Sequence, residues 1–276
     1  MSILKRILCG LMALLLALVA LPSARRESRA ATQSAANRSG IDLRFITPDL
    51  AMPREIAVLA HRGASGYRRE NTPQAFLLAG ELGADMVELD VRETADGQLA
   101  VVHNATVGAG FRGVRRVSEL TLAQLQAIRP SITTLDVALS CIAGTGMGVM
   151  IELKTSGVEQ QALNCVDANG MRDRALFASF STDVLQTIQA LRPDARTAYL
   201  VREKATLNSL LRRSEQSGFD VIAAKYTLLS AAKVRSLHQN GWQVIAWTVN
   251  NISDLRLIAN MDVDGVITDY PDRVRS

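Results

Sequence analysis

The chain has 276 residues and a formal net charge of +4; 48% of it is hydrophobic and 21% charged. That composition excludes a disordered or collagen-like protein, because such chains lack the apolar surface that offsets ordering entropy. The charge sits at one end: residues 1–24 carry +2 and residues 25–40 carry +3, which leaves −1 for residues 41–276. A near-neutral body argues against nucleic-acid binding, which needs a sustained cationic face to displace phosphate counterions.

Lys5 and Arg6 precede an uncharged run of 15 residues, Ile7 to Leu21. A basic flank followed by a short apolar stretch reads residues 1–24 as a secretory signal, which places the protein in the periplasm or outside the cell. The alternative is an uncleaved inner-membrane anchor at residues 7–21, a possible membrane tether, although the run is shorter than the roughly 20 residues that span a bilayer. Residues 25–50 read as a flexible linker, whose first part is rich in Arg, Ser, Ala and Asn without apolar period. Residues 51–276 read as a single barrel domain.

From residue 56 the chain alternates short apolar runs with amphipathic stretches. The runs are Ile56–His61, Met86–Asp90, Val149–Lys154, Leu176–Phe180, Thr197–Val201, Val221–Lys225, Val244–Val249 and Gly265–Asp269. Helical patterns follow, for example Pro73–Leu82, Val184–Leu191, Leu207–Ser217 and Ala231–Gln239. Strands alternating with helices predict βαβ units, and eight of them fit an α/β fold of the (β/α)8 TIM type. An open doubly wound sheet is the alternative, but no GxGxxG follows the first run. Asp96-Gly97 then predicts a β-hairpin return after the second strand. With those two residues as the loop, Asp90 lies opposite His103. A loop and helix insertion, Ala105–Gly148, precedes the third run. Its glycine-rich stretch, Gly108–Gly113, reads as a loop over the barrel mouth.

Three histidines are present, His61, His103 and His238. His61 closes the first strand, where catalytic groups of such barrels reside, and His103 closes the hairpin return. His238 falls near a helix C-terminus and reads as a structural dipole partner. Glu88, Asp90 and Glu152 sit inside otherwise apolar strands, where carboxylates are expensive unless neutralised. They could form a salt-bridge cluster with Lys154 and Arg62. They could instead bind a hard divalent cation that meets a phosphate. Cys141 and Cys165 lie on predicted helices and read as buried thiols, with a disulfide in an oxidising compartment as the alternative. Glu70-Asn71-Thr72 before Pro73 reads as helix-starting chemistry.

His61-Arg62-Gly63, Glu70-Asn71-Thr72, Glu88-Leu89-Asp90, Val102-His103, Ile151-Glu152-Leu153-Lys154, Trp247-Thr248 and Asp264 to Pro271 occur in this order. Together they resemble the signature of the glycerophosphodiester phosphodiesterase family over roughly residues 57–273. The resemblance implies a metal-dependent hydrolase on a (β/α)8 barrel that releases glycerol 3-phosphate and an alcohol from a small-molecule phosphodiester. It implies His61 and His103 as the acid/base pair, and Glu88, Asp90 and Glu152 as ligands of one divalent cation, Ca2+ or Mg2+. Arg62 and Lys154 are implied as phosphate contacts. Trp247 stands at a strand end, where it lines the substrate pocket or fills the core. Asn104 departs from the family pattern, which has Asp there, and so loses a charge beside His103. Two other readings remain at this point: a lysophospholipid- or sphingolipid-directed phosphodiesterase on the same barrel, and a catalytically silent binding barrel.

Overall fold

The computed structural model describes residues 56–108, 113–212 and 218–275. The signal or anchor at 1–24, the linker at 25–50 and the centre of the glycine-rich stretch lie outside the described residues. Among the described residues no helix is long and apolar enough to cross a membrane.

The strands in chain order are β1 (Ala57–His61), β2 (Met86–Glu93), β3 (Leu99–Val101), β4 (Thr106–Val107), β5 (Arg115–Arg116), β6 (Gly148–Leu153), β7 (Ala175–Ser179), β8 (Arg196–Val201), β9 (Val221–Lys225), β10 (Gln243–Trp247) and β11 (Gly265–Thr268). The spatial order is β1-β11-β10-β9-β8-β7-β6-β2, and β1 also pairs with β2. The sheet is therefore a closed barrel of eight parallel strands, and the open-sheet alternative falls. Helices such as α1 (Pro73–Glu81) and, later in the chain, Ala231–Gln239 connect the strands. Thr72 caps α1 by accepting from the Ala75 amide, and Pro73 occupies the first turn, where its missing N–H costs nothing.

Side chains alternate along each strand. One set forms the barrel interior: Leu59, Met86, Met150, Ala178, Leu200, Ala223, Ile245 and Ile267 belong to one buried cluster to which every barrel strand contributes. The other set, including Leu89, Ile151, Ile222 and Val244, packs under the helices. Continuing the inward set to the C-terminal strand ends brings His61, Asp90, Glu152, Lys154, Phe180, Arg202, Lys225, Trp247 and Asp269 to one rim.

The hairpin departs from its expected register. Val91 pairs with Val101 and Glu93 with Leu99, and the Val102 amide donates to the Asp90 carbonyl at 2.9 Å. Val102, not His103, thus stands opposite Asp90. The cause is a longer loop: Gly97 takes φ +72° and donates to the Thr94 carbonyl, while the Thr94 amide donates to Gln98. A turn followed by a left-handed glycine adds one residue compared with a two-residue hairpin loop. Cys141 and Cys165 are free, half-buried thiols. His238 sits on its helix with Nε2 2.8 Å from the Asp264 carboxylate.

Candidate active site

Two neighbouring strands build the acidic centre, β2 with Glu88 and Asp90 and β6 with Glu152, and β1 sets His61 beside it. The parallel register places His61 level with Glu88, and Asp90 level with Glu152. Glu88, Asp90 and Glu152 are only 4%, 1% and 7% exposed. Oxygens from all three lie within 4.8 Å of one another. Lys154 Nζ stands 2.9 Å from Asp90 and 2.6 Å from Glu152, and Arg62 Nε stands 3.2 Å from Asp90.

Three acids against two cations leave an excess negative charge in a dry place, and the acids respond unequally. Burial pushes Glu88 well above the ordinary carboxylate range, and repulsion from Asp90 and Glu152 pushes the same way. Burial also raises Glu152, with Lys154 only partly offsetting it. Asp90 is lowered, because Lys154, Arg62 and the Asn71 amide outweigh its burial. Such a set fits a hard divalent cation: oxygen donors converge, and one more positive charge would relieve the repulsion.

The β1–α1 loop aims the first basic group. Arg62 adopts φ 56° and Asn71 φ 57°, left-handed conformations that cost non-glycine residues roughly 1 kcal/mol or more. They are tied together: the Asn71 amide donates to the Arg62 carbonyl at 2.9 Å, and the Arg62 amide donates to Glu88 at 3.0 Å. Gly63, at φ +81°, could not be another residue, since an added Cβ would lie 2.6 Å from the Ala75 backbone. Asn71 Nδ2 donates to Asp90 at 2.8 Å, and Arg62 Nη1 donates to Glu70 at 2.6 Å. The Glu-Asn pair that reads as helix-starting chemistry instead orients the acidic centre. Thr72 alone does the capping.

His61 has a partner that sequence reasoning missed. Its Nδ1 lies 2.6 Å from Asp269, whose carboxylate also accepts from Ser65 Oγ at 3.0 Å and Asn250 Nδ2 at 2.6 Å. Burial pushes Asp269 up, but those hydrogen bonds outweigh it and hold the carboxyl below its usual range. An ionised Asp269 can only accept, so Nδ1 carries a proton and Nε2 is left to face the substrate. Asp269 is separated from His61 by 208 positions. The clue in the sequence is its place directly after the last apolar run.

His103 reaches the rim by another route. The chain leaves the ladder after β3, and Arg92 Nε donates to the His103 carbonyl at 2.8 Å. The ring is half-buried and feels Asp90, Lys154 and Arg62. Burial pushes its pKa down, Lys154 and Arg62 add to that, and Asp90 and Asn104 oppose it without cancelling it. Nδ1 lies 2.8 Å from Asn104 Oδ1, so the residue that departs from the family pattern still orients the ring. Trp247 stands across the mouth, half-buried, its Nε1 donating to the Ala223 carbonyl at 2.7 Å and its ring edge-on to Phe180 at 5.9 Å.

The sequence profile of the glycerophosphoryl diester phosphodiesterase family matches residues 61–273. YhdW of Bacillus subtilis, provisionally named a glycerophosphodiester phosphodiesterase, is 33% identical over 78% of this chain and 95% of its own length. A glycerophosphodiester phosphodiesterase of Caldanaerobacter subterraneus is 29% identical over 78% of this chain and 94% of its own. Among solved structures, an Oleispira antarctica phosphodiesterase in complex with its product sn-glycerol-3-phosphate superimposes with a TM-score of 0.66 at 26% identity, covering 79% of this chain and 95% of that one. The chain belongs to the glycerophosphoryl diester phosphodiesterase family and is a phosphoric diester hydrolase.

Proposed function

We propose that this chain hydrolyses glycerophosphodiesters to glycerol 3-phosphate and an alcohol, with His103 taking the proton of the attacking hydroxyl and His61 delivering one to the leaving alcohol. The observation that carries the proposal is the shared rim, where two imidazoles with fixed Nδ1 partners adjoin one buried acidic cluster. The depressed pKa of His103 supports its role as base, because a neutral ring is what a base needs at the start. Asp269 keeps the Nδ1 proton of His61 in place, so the proton delivered to the leaving alcohol is one carried on Nε2 by the doubly protonated ring, which the Asp269 carboxylate stabilises.

Glu88, Asp90 and Glu152 would hold one hard divalent cation, Ca2+ or Mg2+. When bound, it supplies Lewis-acid neutralisation of the phosphoryl oxygens. Arg62 and Lys154 add positive charge beside the same centre, so the charge that builds on phosphorus meets prepaid electrostatics instead of reorganising water. Trp247 and Phe180 form an aromatic wall on the far side of the mouth. The leader at residues 1–24 supports an exported location within the same proposal.

A panel assay tests the reading. Glycerophosphocholine and glycerophosphoethanolamine should release glycerol 3-phosphate in the presence of Ca2+ or Mg2+. Turnover of lysophosphatidylcholine alone would contradict it and favour the lipid-directed alternative. Inactivity toward the whole panel would favour the silent barrel.

A further inference from the structure

The arc of the rim opposite the acidic centre has its own chemistry. Phe180 and Arg202 directly follow β7 and β8, and Lys225 and Trp247 close β9 and β10. Alternation turns all four inward, because Ala178, Leu200, Ala223 and Ile245 beneath them belong to the barrel interior. Phe180 and Trp247 meet edge-on at 5.9 Å, and the Arg202 guanidinium covers the Phe180 ring at 5.0 Å. Lys225 is level with Trp247 in the β9–β10 ladder and is exposed at its strand end. Among the described residues its side chain has neither an ion pair nor a hydrogen-bond partner. The one acid paired with Arg202 is its neighbour Glu203, at 3.7 Å with both side chains mostly in solvent, a geometry that neutralises little.

Two cations beside an aromatic pair thus stand apart from the residues assigned to the scissile phosphate. We infer that this arc receives the leaving-group side of the substrate and selects head groups that carry a second phosphate. The inference rests on the hydrolase reading and narrows its substrate class. An aromatic pair alone would welcome a quaternary ammonium. Here Arg202 already occupies the Phe180 face, and Lys225 stands beside Trp247, so a choline group meets like charge. A phosphate in the same place accepts charge-assisted hydrogen bonds from both side chains.

The test compares kcat/KM for glycerophosphocholine, glycerophosphoglycerol and bis(glycerophospho)glycerol with saturating Ca2+ and Mg2+. The wild type should prefer bis(glycerophospho)glycerol over glycerophosphocholine by about tenfold or more, as expected for a hydrogen bond between charged groups. Lys225→Met should reduce that preference about tenfold, Arg202→Met should reduce it in the same direction, and Lys225→Arg should keep it. A preference unchanged in Lys225→Met overturns the inference while leaving the hydrolase reading intact. So does an equal loss on all three substrates, which would place the cations on the part common to them. Wild-type inactivity toward all three overturns the hydrolase reading and this inference with it.

Discussion

The two ends of the barrel use the same functional group in opposite ways. At the N-terminal end three aspartates repeat one motif. Asp85 donates its amide to the Val58 carbonyl at 2.9 Å and accepts the Val58 amide at 2.7 Å. Asp220 does the same with Thr197, at 2.9 and 2.8 Å, and Asp264 with Val244, at 2.8 and 2.7 Å. Each carboxylate stitches two strands together, and Asp264 also holds His238. At the C-terminal end Glu88, Asp90 and Glu152 crowd one another, and two of the three are pushed upward. Satisfied acids stabilise a fold, whereas crowded ones hold a charge imbalance that a ligand can relieve. The contrast separates carboxylates that tie strands together from carboxylates left in mutual repulsion, without reference to any relative.

Substitutions should divide along that line. The largest effect belongs to the rim imidazoles: His61→Ala or His103→Ala should lower kcat about 10²- to 10⁴-fold, with an unchanged melting temperature. Asp269→Asn, which frees the His61 tautomer, should lower kcat more than tenfold and up to about 10⁴-fold. Its signature is a normal circular dichroism spectrum beside the lost rate. At the other end the currency is stability. Asp264→Ala strips the acceptor from the Val244 amide and should cost about 1–3 kcal/mol in chemical denaturation, with kcat nearly retained. The comparison breaks if Asp264→Ala abolishes turnover in a folded protein. The smallest effect has the opposite sign: Glu88→Gln removes a repelled charge and should stabilise the protein in chelator by about 1 kcal/mol while abolishing any cation-induced rise in melting temperature.

Titration sharpens the same contrast. Glu88 is raised above the ordinary range, so binding a cation should release protons, and affinity should fall as pH falls. Calorimetry in two buffers of different ionisation enthalpy reads this directly. Asp269 is lowered, so its contribution to stability is complete above the unfolded carboxylate pKa of about 3.9 and disappears as pH drops through the lower folded value. His103 is lowered too, so a base role keeps the acidic limb of kcat/KM below the ordinary imidazole pKa of about 6.5.

Much of this was legible in the chain. Eight apolar runs gave the barrel, because a strand buried on both faces must be apolar throughout, and the residues that break the pattern at strand ends mark the rim. Glu88, Asp90, Glu152 and Lys154 stand out for that reason. What stayed hidden depends on three-dimensional closure. Asp269 meets His61 only because β11 pairs with β1. Asn71 reaches Asp90 only because the loop folds back in left-handed conformations. The hairpin register was misread because Asp96-Gly97 suits both a two-residue loop and a longer one ending in a left-handed glycine. The expected pairing of His103 with Asp90 therefore does not form, although the ring still arrives at the rim once the chain leaves the ladder. Arg202 and Lys225 went unremarked, since single cations at strand ends carry no signal until their strands lie side by side.

The most direct trial of the rim is glycerol 3-phosphate release from glycerophosphocholine in excess chelator, followed by return of Ca2+ or Mg2+. Turnover should vanish and come back, with Glu88→Gln failing to recover. Undiminished hydrolysis in chelator would mean that the crowded carboxylates serve only to hold Arg62 and Lys154, and would contradict the cation-dependent site proposed here.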